Sequence, residues 1–338
     1  MKTITCMEPN RFVMTETERP TPQAGEALVR IRRIGICGTD MHAFRGRQPF
    51  FEYPRILGHE LAGVIEEIGE NDYGLSVGDQ VAILPYIECG RCIACRQNKP
   101  NCCTELKVLG VHTDGGMREY MTVPVSHLIP TAGLTLEQTA IVEPLSISAH
   151  AVRRAELNEG ENVLVIGAGP IGLGVMKYAK LANARVIAMD INEERLRFCE
   201  KWVPADALVN AQQDPVQKLL ELTDGDLPTV VFDATGNKHS MTQAFNYVSH
   251  AGKLVYVGLV KDDLSFSDPD FHKKEMTLLA SRNATRADFE FVIDSLRNGQ
   301  VDSDAFITHR ASFDTMIDEF EHWLNPESGV IKAVVTLD

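Results

Sequence analysis

Four cysteines lie within a short stretch of the chain and could bind one metal ion. They form the run Cys89-x-x-Cys92-x-x-Cys95, which is followed by Cys103. Four thiolates complete the tetrahedral shell of a zinc ion, and the short spacing lets one loop wrap around it. Because four protein ligands leave no open position on the metal, we expect this zinc to be structural.

Two alternatives to this zinc site come from the same residues. Similar cysteine runs hold iron–sulfur clusters, and cysteines can also share a loop by coincidence. The regular step of three residues favours a metal over coincidence. Cys102 lies beside Cys103, and the sulfur of either residue could be the fourth ligand.

A glycine-rich segment predicts a dinucleotide site. Gly167-Ala-Gly169-Pro-Ile-Gly172 follows a predicted strand and opens a predicted helix, which is the context that the motif requires. The glycines allow a pyrophosphate to approach backbone N–H groups at the helix N-terminus. The alternative is a glycine-rich turn without a cofactor.

The acidic residue that follows this motif predicts the type of cofactor. Asp190 ends the next predicted strand and can accept hydrogen bonds from the adenosine ribose, which favours NAD over NADP. Arg195 could contact a 2′-phosphate, but the Asp190 carboxylate would oppose it. The predicted cofactor-binding set is Gly167, Gly169, Pro170, Ile171, Gly172, Asp190, Arg195 and Val257.

The elements that position these motifs change in character near residue 145. Before it, alternating runs such as Ala27–Ile34, Leu61–Ile68 and Gln80–Leu84 predict a β-rich, barrel-like module. After it, strands alternate with helices, beginning with the apolar strand Asn162–Ile166, and predict a doubly wound parallel sheet. A helix around 289–296 and a strand over 331–337 close the chain.

Composition limits the possible functions. The 338 residues suggest about two domains. The net charge of −14 argues against binding to nucleic acid or to anionic lipid as the main function. The sequence contains neither an apolar run of membrane-spanning length nor an N-terminal signal core, so we expect a cytoplasmic protein without membrane partners. Eight cysteines are too few for a disulfide scaffold.

Cys37, His59, Glu60 and Glu143 are a dispersed set, and their spacing alone does not join them into a site. A lone cysteine is usually a small buried hydrophobic residue. A lone histidine before a strand is more often structural than a metal ligand.

Taken in order, the motifs resemble the zinc-dependent medium-chain dehydrogenase family over essentially the whole chain. They are Gly35-Ile-Cys37-Gly-Thr39-Asp-x-His42, Gly58-His59-Glu60, Gly78-Asp-x-Val81, the four-cysteine run, Glu143-Pro144 and the glycine motif. The resemblance implies an α/β fold with a GroES-like β-rich catalytic domain over 1–146, a Rossmann NAD-binding domain over 147–284, and a return to the catalytic domain over 285–338. Dimers or tetramers are usual in this family, so a homodimer or homotetramer is expected.

The resemblance also assigns ligands. Cys37 and His59 match the catalytic-zinc ligands, and Glu60 matches a carboxylate that binds zinc or lies just outside its shell. Glu143 stands where classical alcohol dehydrogenases place a second cysteine. Either Glu60 or Glu143 could bind the resting zinc. The family spacing favours Cys103 over Cys102 in the structural site.

A proton relay is implied by the same resemblance. Thr39 matches the hydroxyl that accepts the substrate proton, and His42 matches the end of a relay that passes through the nicotinamide ribose. Two simpler interpretations are that Thr39 caps a helix starting at Asp40 and that His42 is a surface residue.

The detailed sequence is most similar to the L-galactonate and L-gulonate 5-dehydrogenase branch, notably at 110–116, 266–275 and 280–285. We therefore expect oxidation of a hexonate at C5, giving D-tagaturonate from L-galactonate or D-fructuronate from L-gulonate. A substrate carboxylate should recruit arginine, and Arg282 with Asn283 are the predicted substrate residues; Arg45, Arg47 and Arg55 are weaker candidates. The alternatives are a polyol or L-threonine dehydrogenase and a non-catalytic zinc- and NAD-binding redox sensor.

Overall fold

The computed structural model describes residues 1–48 and 51–338. Its strands are β1 (Lys2–Glu8), β2 (Arg11–Glu16), β3 (Glu26–Ile36), β4 (Glu60–Ile68), β5 (Gln80–Ile83), β6 (Tyr86–Ile87), β7 (Lys107–Val108), β8 (Tyr120–Pro124), β9 (Leu128–Pro130), β10 (Asn162–Ile166), β11 (Arg185–Asp190), β12 (Ala207–Asn210), β13 (Val230–Asp233), β14 (Lys253–Tyr256), β15 (Thr277–Ala280), β16 (Ile307–Ser312) and β17 (Lys332–Thr336).

The helices are α1 (Gly38–Phe44), α2 (Ile93–Arg96), α3 (Leu136–Ala140), α4 (Val142–Ala155), α5 (Pro170–Leu181), α6 (Glu193–Trp202), α7 (Pro215–Leu222), α8 (Lys238–Gln243), α9 (Asp268–Lys273), α10 (Arg286–Arg297), α11 (Ser303–Phe306) and α12 (Met316–Trp323). Short 3₁₀ turns occur at Pro100–Cys102, Val125–His127, Ala244–Tyr247 and Pro326–Ser328. In the part of the chain that the structure describes, no helix combines the length and the apolar character needed to cross a membrane.

The chain forms two compact units. The first contains residues 1–146 and 284–338, and the second contains residues 147–283. The expected nucleotide-binding domain over 147–284 includes Ala284, whereas the structure groups Ala284 with the first unit. Ala284 is buried directly before Thr285, the N-cap of α10, and α10 packs against β9 of the first unit.

The first unit is built on a seven-stranded sheet. Its strand order is β16-β17-β3-β4-β5-β9, and β8 also pairs with β3. The alternation predicted at 27–34 belongs to the long strand β3, whose antiparallel pairing with β4 places Gly35 opposite Glu60. Phe12, Phe44 and Phe320 pack together in the core, with ring centroids 4.8–5.2 Å apart. This core supports β3 and α1, which flank Cys37.

The second unit is a parallel sheet of six strands in the order β12-β11-β10-β13-β14-β15. The order reverses between β10 and β13, and in open α/β sheets ligands bind at the carboxyl ends of the strands beside such a switch point. β13 is buried throughout and β10 is buried after its first residue, Asn162, as expected of strands covered on both faces. The glycine motif follows β10 and therefore lies at this position.

Candidate functional site

A buried carboxylate joins the two segments that carry Cys37 and His59. Asp40 lies in the first turn of α1, where its Oδ2 accepts a hydrogen bond from the backbone N–H of Cys37 at 3.0 Å. Its Oδ1 accepts one from the backbone N–H of Gly58 at 3.2 Å and lies 3.8 Å from Nδ1 of His59. Asp40 thus fixes the end of β3 against the residue before His59.

Cys37, His59 and Glu60 meet in one group. One possible ligand atom from each residue lies within 4.8 Å of the others. Cys37 follows β3, whereas Glu60 begins β4 opposite Gly35, so the β3–β4 pairing brings them together. A Cβ at position 35 would overlap the Glu60 carboxylate, and only glycine leaves that space free.

Lys332 neutralises Glu60 inside the protein. Its Nζ donates to both carboxylate oxygens of Glu60, at 2.6 and 2.7 Å, and to the carbonyl oxygen of Ile36 at 3.1 Å. Lys332 is 2% exposed and Glu60 is fully buried. An unpaired charge at such depth would be costly, so each of these residues requires the other.

Glu143, in the first turn of α4, has a different set of partners. Its Oε1 accepts a hydrogen bond from the Tyr86 hydroxyl. Its Oε2 is buried and has no hydrogen-bond partner among the described residues. The Glu143 oxygens are not part of the close group formed by Cys37, His59 and Glu60.

The electrostatics of the site favour a bound cation. Burial lowers the pKa of His59, but Asp40 and Cys37 outweigh this effect and hold the pKa well above its ordinary value. Burial raises the pKa of Glu143 to about 7, although His59 opposes the shift. An imidazole surrounded by acidic groups indicates a negative potential that either a proton or a metal ion would relieve.

The donor set fits zinc. Sulfur, imidazole nitrogen and carboxylate oxygen are the ligands of catalytic zinc, which takes three from the protein and keeps an open position. Cys37, His59 and Glu60 supply one of each. Nδ1 of His59 and Oε2 of Glu143 are buried polar atoms without a hydrogen-bond partner among the described residues, and such atoms point to a missing ion or water.

Thr39 and His42 lie three residues apart in α1, so they share one side of the helix. The suggestion that Thr39 caps a helix starting at Asp40 is wrong, because α1 begins at Gly38 and its N-cap is Cys37. His42 is exposed, and its pKa is lowered by burial of part of the ring and by Arg47 and Arg45.

The structure also brings the four cysteines of the predicted structural zinc site together. Single sulfur atoms of Cys89, Cys92, Cys95 and Cys103 lie within 4.8 Å of one another, whereas Cys102 is exposed and is not in the group. The backbone N–H groups of Cys89 and Glu105 both donate to Cys103 Sγ at 3.3 Å. Backbone N–H groups of Cys95 and Thr104 lower the pKa of Cys92 to about 5. A thiolate is the form of cysteine that binds zinc, and these contacts favour it at Cys92, whereas burial raises the pKa of Cys95 to about 12.

In the second unit the glycine motif forms a tight turn between β10 and α5. Gly169 is the N-cap and Pro170 the first residue of α5, followed by Ile171. A Cβ on Gly172 would overlap the carbonyl oxygen of Gly167, so glycine is required where the helix meets the turn. Because the N-cap Gly169 has no side chain, no side chain caps the first backbone N–H groups of α5, and these groups are suited to bind a phosphate.

Asp190 ends β11 beside this turn. Its Oδ2 accepts from the Ala168 N–H at 2.6 Å and its Oδ1 from the Asn192 N–H at 2.9 Å. Val257 directly follows β14, at the same carboxyl edge of the sheet, and Arg195 is exposed in α6. Arg282, which is exposed, and Asn283 follow the edge strand β15.

Three residues of the site are not predicted from the sequence: Asp40, Tyr86 and Lys332. Asp40 was considered only as the start of a helix. Lys332 and Tyr86 are single residues without a motif, in strands far from Glu60 and Glu143 along the chain. Lys332 could have been recognised because it is a lysine within the predicted apolar strand 331–337, and a buried lysine requires an acidic partner.

Comparison with known proteins identifies both domains. Residues 23–133 match the alcohol dehydrogenase GroES-like domain, and residues 170–298 match the zinc-binding dehydrogenase family. L-galactonate-5-dehydrogenase of Escherichia coli K12 is 44% identical over 336 residues, which cover 99% of each chain. The 2-dehydro-3-deoxy-L-galactonate 5-dehydrogenase of Pseudoalteromonas atlantica is 33% identical, covering 88% of this chain and 87% of that one.

Solved structures agree with this assignment. The alcohol dehydrogenase RspB of Escherichia coli CFT073, in complex with NADH, superposes with a TM-score of 0.93 at 34% identity and covers 100% of this chain and 99% of that one. The predicted combination of a GroES-like domain and a Rossmann domain is confirmed. The chain therefore belongs to the zinc-dependent medium-chain dehydrogenases, the family of zinc-containing, NAD-dependent alcohol dehydrogenases.

Proposed function

We propose that this dehydrogenase oxidises the C5 secondary alcohol of a hexonate, with L-galactonate or L-gulonate as substrate and NAD as oxidant. The observation that carries the catalytic assignment is the buried group Cys37, His59 and Glu60, with one possible ligand atom from each within 4.8 Å of the others. The hexonate is supported by the 44% identical relative, whose name specifies oxidation of L-galactonate at C5.

Cys37, His59 and one of the two buried glutamates hold the catalytic zinc in this proposal. Zinc supplies a Lewis acid that makes a bound alcohol more acidic, and NAD supplies the hydride acceptor. Asp40 keeps the Cys37 and His59 segments together, and Lys332 offsets the charge of Glu60. The four-cysteine lobe holds a second, structural zinc.

Thr39 and His42 remove the proton. The Thr39 hydroxyl would accept the substrate proton as it passes its own proton to the nicotinamide ribose hydroxyl, and His42, exposed in α1, would transfer a proton from the ribose to solvent, as the family resemblance implies. The lowered pKa of His42 keeps the resting imidazole neutral near pH 7 and favours release to solvent of a proton that it receives.

The second unit binds NAD through the turn before α5 and through Asp190. The backbone of the glycine motif receives the pyrophosphate, and the Asp190 carboxylate accepts the ribose hydroxyls. Its negative charge disfavours a 2′-phosphate. Arg282 and Asn283 contact the substrate, with the Arg282 guanidinium paired to the substrate carboxylate.

The substrate proposal predicts turnover of a hexonate in a defined panel. The purified enzyme with NAD is given L-galactonate, L-gulonate, L-idonate, sorbitol and L-threonine in turn, and NADH formation is followed by absorbance. We expect turnover of a 5-hydroxy aldonate and little of the neutral or amino-acid substrates. Turnover confined to sorbitol or threonine would overturn the sugar-acid proposal. Silence across the panel with both zinc sites filled would also overturn it, in favour of another alcohol or of the non-catalytic alternative.

Asp190→Ala should change the choice of cofactor. Loss of the ribose hydrogen bonds is expected to raise KM for NAD by about 10- to 100-fold, and KM for NADP by much less. Because Asp190 also accepts from Ala168 and Asn192, Asp190→Asn is the matched control that removes the charge and keeps the shape. An equal loss with both cofactors in both variants would show that Asp190 only shapes the turn.

Arg282→Ala should reduce activity selectively for anionic substrates. A lost charge-assisted pair predicts a decrease of about 10- to 100-fold in kcat/KM for a hexonate, with a smaller change for sorbitol at high concentration. Lys218→Ala, a surface cation in α7, controls for net charge. A uniform decrease for charged and neutral alcohols would instead assign Arg282 to the cofactor.

A further inference from the structure

The two buried glutamates of the site are held in unequal ways. Both oxygens of Glu60 accept hydrogen bonds from Lys332. In Glu143, Oε1 accepts from the Tyr86 hydroxyl, while Oε2 is buried without a hydrogen-bond partner among the described residues. A buried carboxylate oxygen without a partner carries a desolvation cost, and a cation bound beside Oε2 would offset it.

Glu143 lies near enough to the other members of the site to interact with them electrostatically. Its charge interacts with His59, Glu60 and Lys332, although its oxygens lie outside the tight group of Cys37, His59 and Glu60. A carboxylate can bind a metal through either oxygen or through both, and it can also rotate away. Its orientation therefore depends on a neighbour, and the Tyr86 hydroxyl donates a hydrogen bond to its Oε1.

The position of Tyr86 is fixed by burial, by ring packing and by strand pairing. It is 3% exposed, and its ring packs edge-on against Phe289 at a centroid distance of 6.5 Å. It lies in β6, which pairs with β7 so that Tyr86 is opposite Val108. The segment between β6 and β7 is the four-cysteine lobe, so closure of this lobe fixes the strand that carries Tyr86.

We propose that Tyr86 is a positioning residue for the catalytic metal site: its hydroxyl holds Oε1 of Glu143 and thereby presents Oε2 to the zinc. The inference rests on the proposed function, since it requires the metal group at Cys37 and His59. In this proposal the four-cysteine lobe also helps to keep Tyr86 in contact with Glu143.

The test is Tyr86→Phe, which keeps the ring on Phe289 and removes only the hydroxyl. The readout is the rate at which zinc leaves the cofactor-free enzyme for a chromophoric chelator, a measurement that does not depend on activity. We expect zinc to leave the catalytic site about 10- to 100-fold faster than in the wild type, because one hydrogen bond to a charged group is lost. Tyr120→Phe, whose ring stacks under Arg19 in the same unit, is the control and should match the wild type.

A second experiment, in a variant that lacks the Glu143 carboxylate, distinguishes an effect of the Tyr86 hydroxyl on Glu143 from an effect on the packing of the tyrosine ring. Glu143→Cys replaces the carboxylate by a thiol with one ligand atom, which needs no phenol to orient it. Adding Tyr86→Phe to Glu143→Cys should leave the rate of zinc loss unchanged within about twofold. An equal acceleration in both backgrounds would mean that the hydroxyl acts on packing and would overturn the proposal, as would unchanged or slower zinc loss in Tyr86→Phe alone.

The outcomes also separate this inference from the proposed function. A wild-type enzyme that binds zinc only in the four-cysteine lobe would remove the catalytic site and, with it, both proposals. A wild-type enzyme that fills both sites, with a Tyr86→Phe variant that releases zinc at the normal rate, would overturn the role of Tyr86 alone.

Discussion

The catalytic unit depends on one buried carboxylate, Asp40, which hydrogen-bonds two backbone segments that are distant in sequence. One oxygen holds the N–H of Cys37 and the other holds the N–H of Gly58, beside His59. Burial raises the pKa of Asp40, while His59 and the two N–H groups oppose the shift. A metal site made from separate strands requires such a connection, because ligand atoms must be positioned before the ion arrives.

Charge balance is the second constraint on the site. Asp40, Glu60 and Glu143 are all buried. Among the described residues, Lys332 is the only buried lysine or arginine, and it lies against Glu60. Since buried charges persist only when they are compensated, the acidic groups beyond Glu60 favour a further cation in the site, the position that the proposed function gives to zinc.

Features formed by residues that are close together in the sequence could be predicted from the sequence. Cys89, Cys92 and Cys95 are close together because they are close in sequence, and the turn at Gly167 is specified by its own glycines. The apolar strand predicted over Asn162–Ile166 coincides with β10, because a strand buried on both faces is specified by its own hydrophobic residues. Such features need no knowledge of how distant segments pair.

The rest of the site depends on tertiary pairing. Glu60 meets Lys332 because β4 and β17 both pair with β3, a register that composition alone does not specify. Tyr86 meets Glu143 because β6 pairs with β7 and the first turn of α4 lies beside Tyr86, an arrangement that depends on tertiary packing. The family resemblance supplied Cys37, His59, Glu60 and Glu143 as ligands, but it did not supply their hydrogen-bond partners.

The assignment of Cys37 as a catalytic zinc ligand is tested by the zinc content of purified Cys37→Ser, measured together with its circular dichroism spectrum. The two ligand groups predict two zinc ions per chain in the wild type. In the variant we predict one zinc ion, an unchanged spectrum and no NADH formation, because the four-cysteine lobe is intact while the catalytic ligand is lost. Two retained zinc ions with full turnover would contradict the assignment of Cys37 and, with it, the proposed catalytic site.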